Sequence, residues 1–168
     1  MRRLDPVSIA IAAPAAVVWE VIGPQFDRIG VWASSIPTST ADPDTAPTCG
    51  APVGGRFCTS TVPGFPHIAE TILDCDPERM ELTYVATTGM PWFVASARNT
   101  WQVHPHDSST ATVTIAAEVE PKATRGSGAL VAAMTPAFTR LGRITLDDLK
   151  HFIETGEPSP RKRKRRRR

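Results

Sequence analysis

Apolar and polar residues alternate over "PVSIAIA", with Val7, Ile9 and Ile11 on one face and Ser8 and Ala10 on the other. A period of two marks a half-buried strand. The period changes in "APAAVVWEVIG", where Val17, Val18, Val21 and Ile22 form a short helical stripe. Pro14 suits the first turn of that helix, and Gly23 with Pro24 stops it. "QFDRIGVW" has room for one more short helix. Residues 37–55 are rich in Pro, Gly, Thr and Asp and read as a loop or an irregular sheet edge. Strand-like pieces follow: "RFCTSTV", "HIAETILDC", "RMELTYVATT", "ASARNTWQVHP" and "TATVTIAAEVE". "DPER" and "PHDSS" are tight-turn sequences, and short turns between neighbouring strands give an antiparallel meander.

The helical period returns near the C-terminus, where Ala137, Leu141, Ile144, Leu149, Phe152 and Ile153 share a stripe. Thr135 and Pro136 read as N-cap and first helical residue, and Gly156 with Pro158 ends the element. Residues 136–155 would span roughly 30 Å. "GSGALVAAM" reads as a first helical segment, with Pro136 as a kink. The order is one strand, one or two short helices, about six strands and a long helix, which is an α+β plan. A curved antiparallel sheet folded around the long helix buries the helix stripe, and if it curls enough it leaves a hollow.

The chain has 168 residues, which predicts one domain with a sizeable core. The net charge of +2 hides an asymmetry. Eight of the 19 Lys and Arg lie in residues 161–168, so the first 160 residues carry 11 against 17 Asp and Glu, about −6. An acidic body is a poor partner for phosphate backbones, so any polyanion contact falls to Arg161 through Arg168. After Glu157 nothing in the sequence can pack, which divides the chain into a domain over 1–156 and a disordered basic tail over 157–168. Cys49, Cys58 and Cys75 match no zinc or disulfide spacing and read as isolated reduced thiols of a cytoplasmic protein. No apolar run is long enough to span a membrane. "MRRLDPVSIAIAAPAA" imitates a signal peptide, but Asp5 and Pro6 interrupt it and the alternation reads as a strand.

The opening strand followed by "APAAVVWEVI", the later Trp32, "GGR" leading into a strand, "ETILDCDPERMELTY", "NTWQVHP" and the closing "LDDLKHFIETG" together resemble the SRPBCC superfamily, also called START-like or helix-grip proteins. Within it, the polyketide cyclase/dehydrase and lipid-transport family is the nearest in flavour. The resemblance covers about residues 5–155 and is carried by order and pattern. It implies a seven-stranded sheet gripping a C-terminal helix around an apolar cavity, and members that bind or transform lipids, polyketides or plant hormones. Two loops, "VPGFPH" and "TGMPWF", set Gly and Pro beside large apolar residues. Gly64-Phe65-Pro66 is similar to the gate loop of the plant abscisic-acid receptors, distant relatives in the superfamily. Gly89 to Trp92 would then be the facing loop. Phe65 and Trp92 either line the mouth of the cavity or plug the fold.

Strand parity groups Arg56 with Cys58 and Ser60, Ile68 with Glu70 and Ile72, Ala97 with Asn99, Trp101 and Val103, and Met80 with Leu82 and Tyr84. By resemblance the first three sets face the cavity. For residues 112–120 of the last strand, either Thr114, Ala116 and Glu118 or Val113, Ile115 and Ala117 could do so. Glu70 between isoleucines needs a partner, and Arg56 is the candidate. Such a pair is a structural salt bridge, a means of orienting a ligand carboxylate, or part of a general acid/base set with Tyr84. On the helix, Met134, Phe138, Leu141 and Thr145 face the sheet and form a cavity wall. The histidines fit solvated turns, no metal-ligand spacing is present, and no cofactor motif occurs. Three functions follow: binding of a hydrophobic small molecule, a polyketide cyclase or dehydrase working through Arg56, Glu70 or Tyr84, and polyanion binding through the tail.

Overall fold

The computed structural model describes residues 1–166. Its sheet has eight strands: β1 (Arg2–Arg3), β2 (Val7–Ile11), β3 (Ser39–Ala41), β4 (Gly55–Thr59), β5 (His67–Asp76), β6 (Glu81–Thr88), β7 (Val94–Pro105) and β8 (Ala111–Pro121). The order is β1-β8-β7-β6-β5-β4-β3, with β2 also on β8, and every pairing is antiparallel. The five strand-like pieces of the sequence are β4 to β8. The extra strands are the two-residue β1 and the three-residue β3, too short to show a period. Register shifts in β5 at Ala69/Glu70 and Ile72/Asp74 bend that strand. In β8, Val113, Ile115 and Val119 are buried, which settles the inward face. Thr114 meets Ser8, and Glu118 meets Arg3, on the other side.

Helix α1 (Ala15–Ile22) and a 3₁₀ helix (Phe26–Val31) close one end of the sheet. The buried stripe of α1 is Ala15, Val18, Trp19 and Ile22, at offsets of three, four and seven. Val17 was expected in it but is exposed, because the bulkier Trp19 takes the core-facing direction. Helix α2 runs unbroken over Ser127–Thr155, with Pro136 inside it. Its N-terminal cap position is therefore Gly126, at φ 87°, and Thr135 is an interior residue whose hydroxyl donates to the Val131 carbonyl at 3.2 Å. Pro136 removes one N–H from the helix ladder without ending it. The far end of α2 is pinned to β2: Lys150 donates to the Ala10 carbonyl at 2.6 Å, and Glu154 accepts the Ala12 N–H at 2.8 Å. That N–H, helped by Lys150 and opposed by desolvation, holds the Glu154 carboxyl below its usual range. Gly142 permits the close approach of α2 to β2, since a Cβ there would lie 3.0 Å from Val7.

Two expectations change. Cys49 and Cys75 form a disulfide, with Cα atoms 5.7 Å apart, leaving Cys58 as a buried thiol. Their 26-residue separation is set by the fold, because the loop after β3 returns beside the end of β5. Disulfides persist in oxidising compartments, so the step from reduced thiols to the cytoplasm loses its support. Residues 160–166, read as part of a disordered tail, form helix α3 (Pro160–Arg166) against the body. The acidic body supplies what the composition of the tail lacks: carboxylates and backbone carbonyls on which basic side chains dock. Residues 167 and 168 of that tail lie outside the described residues.

Candidate functional site

Helix α2 meets the sheet firmly at both ends and loosely between. Leu146 and Leu149 join the main core beside Trp19, Phe26 and Trp101. Val131 joins a second cluster with Leu4, Phe93, Val94 and Val119. Between the clusters, Phe138, Leu141 and Thr145 are only half-buried, and they face a cavity of about 180 Å³. The opposite wall is the inner face of the sheet, including Ile68, Ala86, Asn99, Ile115 and Ala117.

The polar end of this cavity is built on β4, β5 and β6. Arg56 and Glu70 are register partners, so their side chains share the inner face. Arg56 Nε donates to Glu70 Oε2 at 2.6 Å, and its Nη1 donates to the Phe26 carbonyl at 2.5 Å. The guanidinium stacks 3.9 Å from the Phe26 ring centroid and 5.1 Å from that of Tyr84. Burial is the largest effect and opposes its charge, but Glu70, Tyr84 and Cys58 together outweigh it, and Arg56 stays protonated beyond its ordinary range. The Cys58 sulfur lies 3.8 Å from the same Glu70 oxygen. Burial above all, against the pull of Arg56, pushes its thiol up to about 12.

Glu70 Oε2 takes both contacts, while Oε1 takes none among the described residues. Tyr84 stands beside it. Burial first, and then the Glu70 charge, raise its phenol above the usual range, so it is neutral. Trp101 Nε1 donates to the Tyr84 hydroxyl at 3.2 Å, which leaves the phenolic hydrogen to donate elsewhere. Glu70, Tyr84 and Asn99 all line the cavity. The polar end thus offers an acceptor, a donor and an amide able to act as either.

In the loop that the resemblance makes the mouth, Phe65 is buried and lines the cavity, its ring edge-on to Phe138 at 6.1 Å. Trp92 is 64 % exposed, its ring edge-on to Phe93, and it does not line the cavity. The two loops touch: a Cβ on Gly64 would contact Pro91 at 3.9 Å. Gly89, at φ 77°, abuts the His67 carbonyl so closely that any Cβ would overlap it, and only glycine fits.

Of the residues picked from the sequence, Ser60, Phe65, Ile68, Glu70, Tyr84, Asn99, Trp101, Phe138 and Leu141 line the cavity. Arg56 and Cys58 sit behind its wall, and Arg56 borders a smaller void next to Phe26. Met134 packs into the second cluster rather than the cavity wall, being a turn too close to the N-terminal end of α2. Sequence reasoning missed Ile29, Ile36, Met90 and Gly142, whose loop and helix positions carry no strand parity. It also missed Asp148. A carboxylate inside the stripe Leu146–Leu149 was the available sign, and Asp148 accepts the Ser34 N–H at 2.8 Å from a buried position.

A long helix gripped by a curved antiparallel sheet over an inner cavity defines a helix-grip protein. The profile of the family described as polyketide cyclase / dehydrase and lipid transport matches residues 6–154, and the chain belongs to that family. No curated protein shows significant similarity to it. Among solved structures, an uncharacterised protein from Bacillus thuringiensis shares the fold with a TM-score of 0.69 at 20 % identity, over 90 % of this chain and 98 % of that one. The Zhui aromatase/cyclase from Streptomyces sp. R1128 gives 0.68 at 14 % identity, over 94 % and 99 %. A truncated norcoclaurine synthase from Thalictrum flavum gives 0.66 at 16 % identity, over 92 % and 94 %. At these identities the likeness is one of fold.

Proposed function

We propose that the protein binds a small, mostly apolar ring compound that carries both a hydrogen-bond donor and an acceptor at one end. The observation that carries this is the pairing of an unengaged Glu70 oxygen with the undonated Tyr84 hydroxyl in a cavity whose lining is mostly apolar. A ligand hydroxyl would donate to Glu70, and a ligand carbonyl would accept from Tyr84. An engineered apolar cavity of about 150 Å³ takes benzene, so about 180 Å³ accepts a small ring system with the loops as they stand. A longer lipid or polyketide chain requires the mouth to open.

The test is a calorimetric titration with 2-naphthol and with naphthalene. Binding of 2-naphthol with a clear preference over naphthalene, lost in Glu70→Gln, supports the reading. Equal affinity for the two probes, or no binding of either, overturns it.

A second reading is favoured by the same atoms. A carboxylate held by Arg56 next to a neutral phenol is a base and an acid side by side, as a cyclase or dehydrase acting on a polyketide needs. The aromatase/cyclase among the structural neighbours accords with it. Turnover of a poly-β-ketone chain that disappears in Glu70→Gln while 2-naphthol still binds would establish it.

A further inference from the structure

Helix α3 is fastened to the loops that border the cavity. Lys162, fully buried, donates from Nζ to the carbonyls of Ile36 and, at 3.2 Å, Pro37. Arg165 donates to the Ser34 carbonyl at 3.1 Å and to the Thr61 hydroxyl. The Thr61 N–H donates in turn to the Ser35 carbonyl at 2.9 Å. Ser35, Ile36, Ser60 and Val62 are cavity-lining residues. Lys162 and Arg165 therefore anchor α3 on the segment around Ser34 to Pro37, and Arg165 also ties that segment to Thr61 in the second one. The start of α3 is fixed as well, because the Ser159 hydroxyl donates to Asp148 at 2.5 Å.

The outer side of α3 is held weakly. Arg161 stands 3.7 Å and 3.9 Å from Asp148 and Asp147, and Arg163 stands 3.8 Å from Glu157, all through half-exposed guanidinium groups. Such pairs are screened by salt and give way to a denser anionic surface. Lys164 is exposed on the same helix. The loop that Arg165 grips at Thr61 continues to Gly64, which adjoins Pro91 and so the exposed Trp92. A basic helix fastened to cavity-lining loops and an exposed indole on an adjoining loop match the headgroup layer of an anionic bilayer, where cations meet lipid charge and Trp rests at the interface.

We propose that α3 is a latch across the cavity rim, and that an anionic lipid surface is the partner that releases it. Lipid headgroups would take over the arginines that now face the acidic body, Lys162 and Arg165 would leave the carbonyls of Ser34, Ile36 and Pro37, and the two rim segments would part. The proposal rests on the cavity being a ligand site, but its test does not use a ligand.

The readout is hydrogen exchange of the Thr61 amide, which bonds to the Ser35 carbonyl between the two rim segments, and of the neighbouring Ser60 amide, which bonds to the Pro66 carbonyl within its own loop. In the full chain carrying Lys162→Ala and Arg165→Ala, both amides should exchange about tenfold faster or more, a factor equal to about 1.4 kcal/mol of opening free energy. Amides of the β7–β8 ladder should stay as protected as in the parent, which shows that the fold persists; Arg165→Gln alone serves if the double variant unfolds. Vesicles containing phosphatidylserine should produce the same acceleration in the parent chain and lose it at high salt, whereas phosphatidylcholine vesicles should produce none. Unchanged exchange in both variants overturns the latch. A response to the substitutions but not to phosphatidylserine overturns the lipid partner, as does acceleration by an RNA oligonucleotide alone. Failure of 2-naphthol to bind, with these exchange results intact, would overturn the ligand reading and leave the latch standing.

Discussion

The two ends of the cavity are built on opposite rules. At its polar end, Arg56, Glu70, Cys58, Tyr84 and Trp101 lie on paired strands and lock one another through contacts that few other side chains could replace. At its mouth, two loops of nearly the same composition are held by a few contacts, and they diverge: Phe65 turns inward onto Phe138 while Trp92 turns out. The polar end should therefore answer to substitution with stability, and the mouth with access.

The sharpest way to break this contrast is Arg56→Met, which strands the Glu70 carboxylate in a buried site. Unfolding in urea should show a loss of about 3–5 kcal/mol, the usual result of removing one partner of a buried pair. A loss no greater than that of a surface change would mean that the polar end is not the rigid part. Phe65→Ala should cost less than the ~3–5 kcal/mol of a core Phe→Ala change, because its loop can relax. Release of a bound apolar dye, followed by stopped flow, should nevertheless quicken about tenfold, equal to about 1.4 kcal/mol. A slow release with a large stability loss would make Phe65 a core plug instead of a mouth residue.

Tyr84 is the only tyrosine, so absorbance at 295 nm reports its ionisation alone. Its raised pKa predicts no tyrosinate in the folded protein at pH values where an ordinary phenol, near pH 10, has ionised. The sign for stability follows. Folding favours the neutral phenol, so this contribution is present in full below the unfolded value near 10 and is lost as pH rises toward the folded one. Tyrosinate absorbance should appear with unfolding, and its appearance at pH 10 in folded protein would contradict the burial. Tyr84→Phe should cost about 1 kcal/mol through the loss of the Trp101 bond. Trp92→Ala should change stability by less than about 0.5 kcal/mol, as for an exposed side chain.

The same contrast explains what could be read from the chain. The long strands and α2 repeat their pattern over many residues, and the Arg56–Glu70 pair followed from one buried carboxylate needing a cation. The two loops gave equal signals for Phe65 and Trp92, because composition does not encode which way a loop side chain turns. The helical segment ahead of Pro136 was legible in "GSGALVAAM", whereas the N-cap read at Thr135 followed the local preference of proline, which the packing of Val131 and Leu146 on either side overrides. Cys49–Cys75 and the docking of Lys162 depend on segments brought together across the fold, and no spacing records them.

The disulfide has a consequence for the integrity of the chain. Cys49 and Cys75 close a covalent ring that contains Arg56, Cys58, Phe65, Ile68 and Glu70. A protease that cut the exposed turn near Gly64 would open this ring without dividing the molecule. The nicked protein would run as one species until a reductant was added, and both fragments would stay paired through β4 and β5. The cavity could thus survive a cut through its own rim.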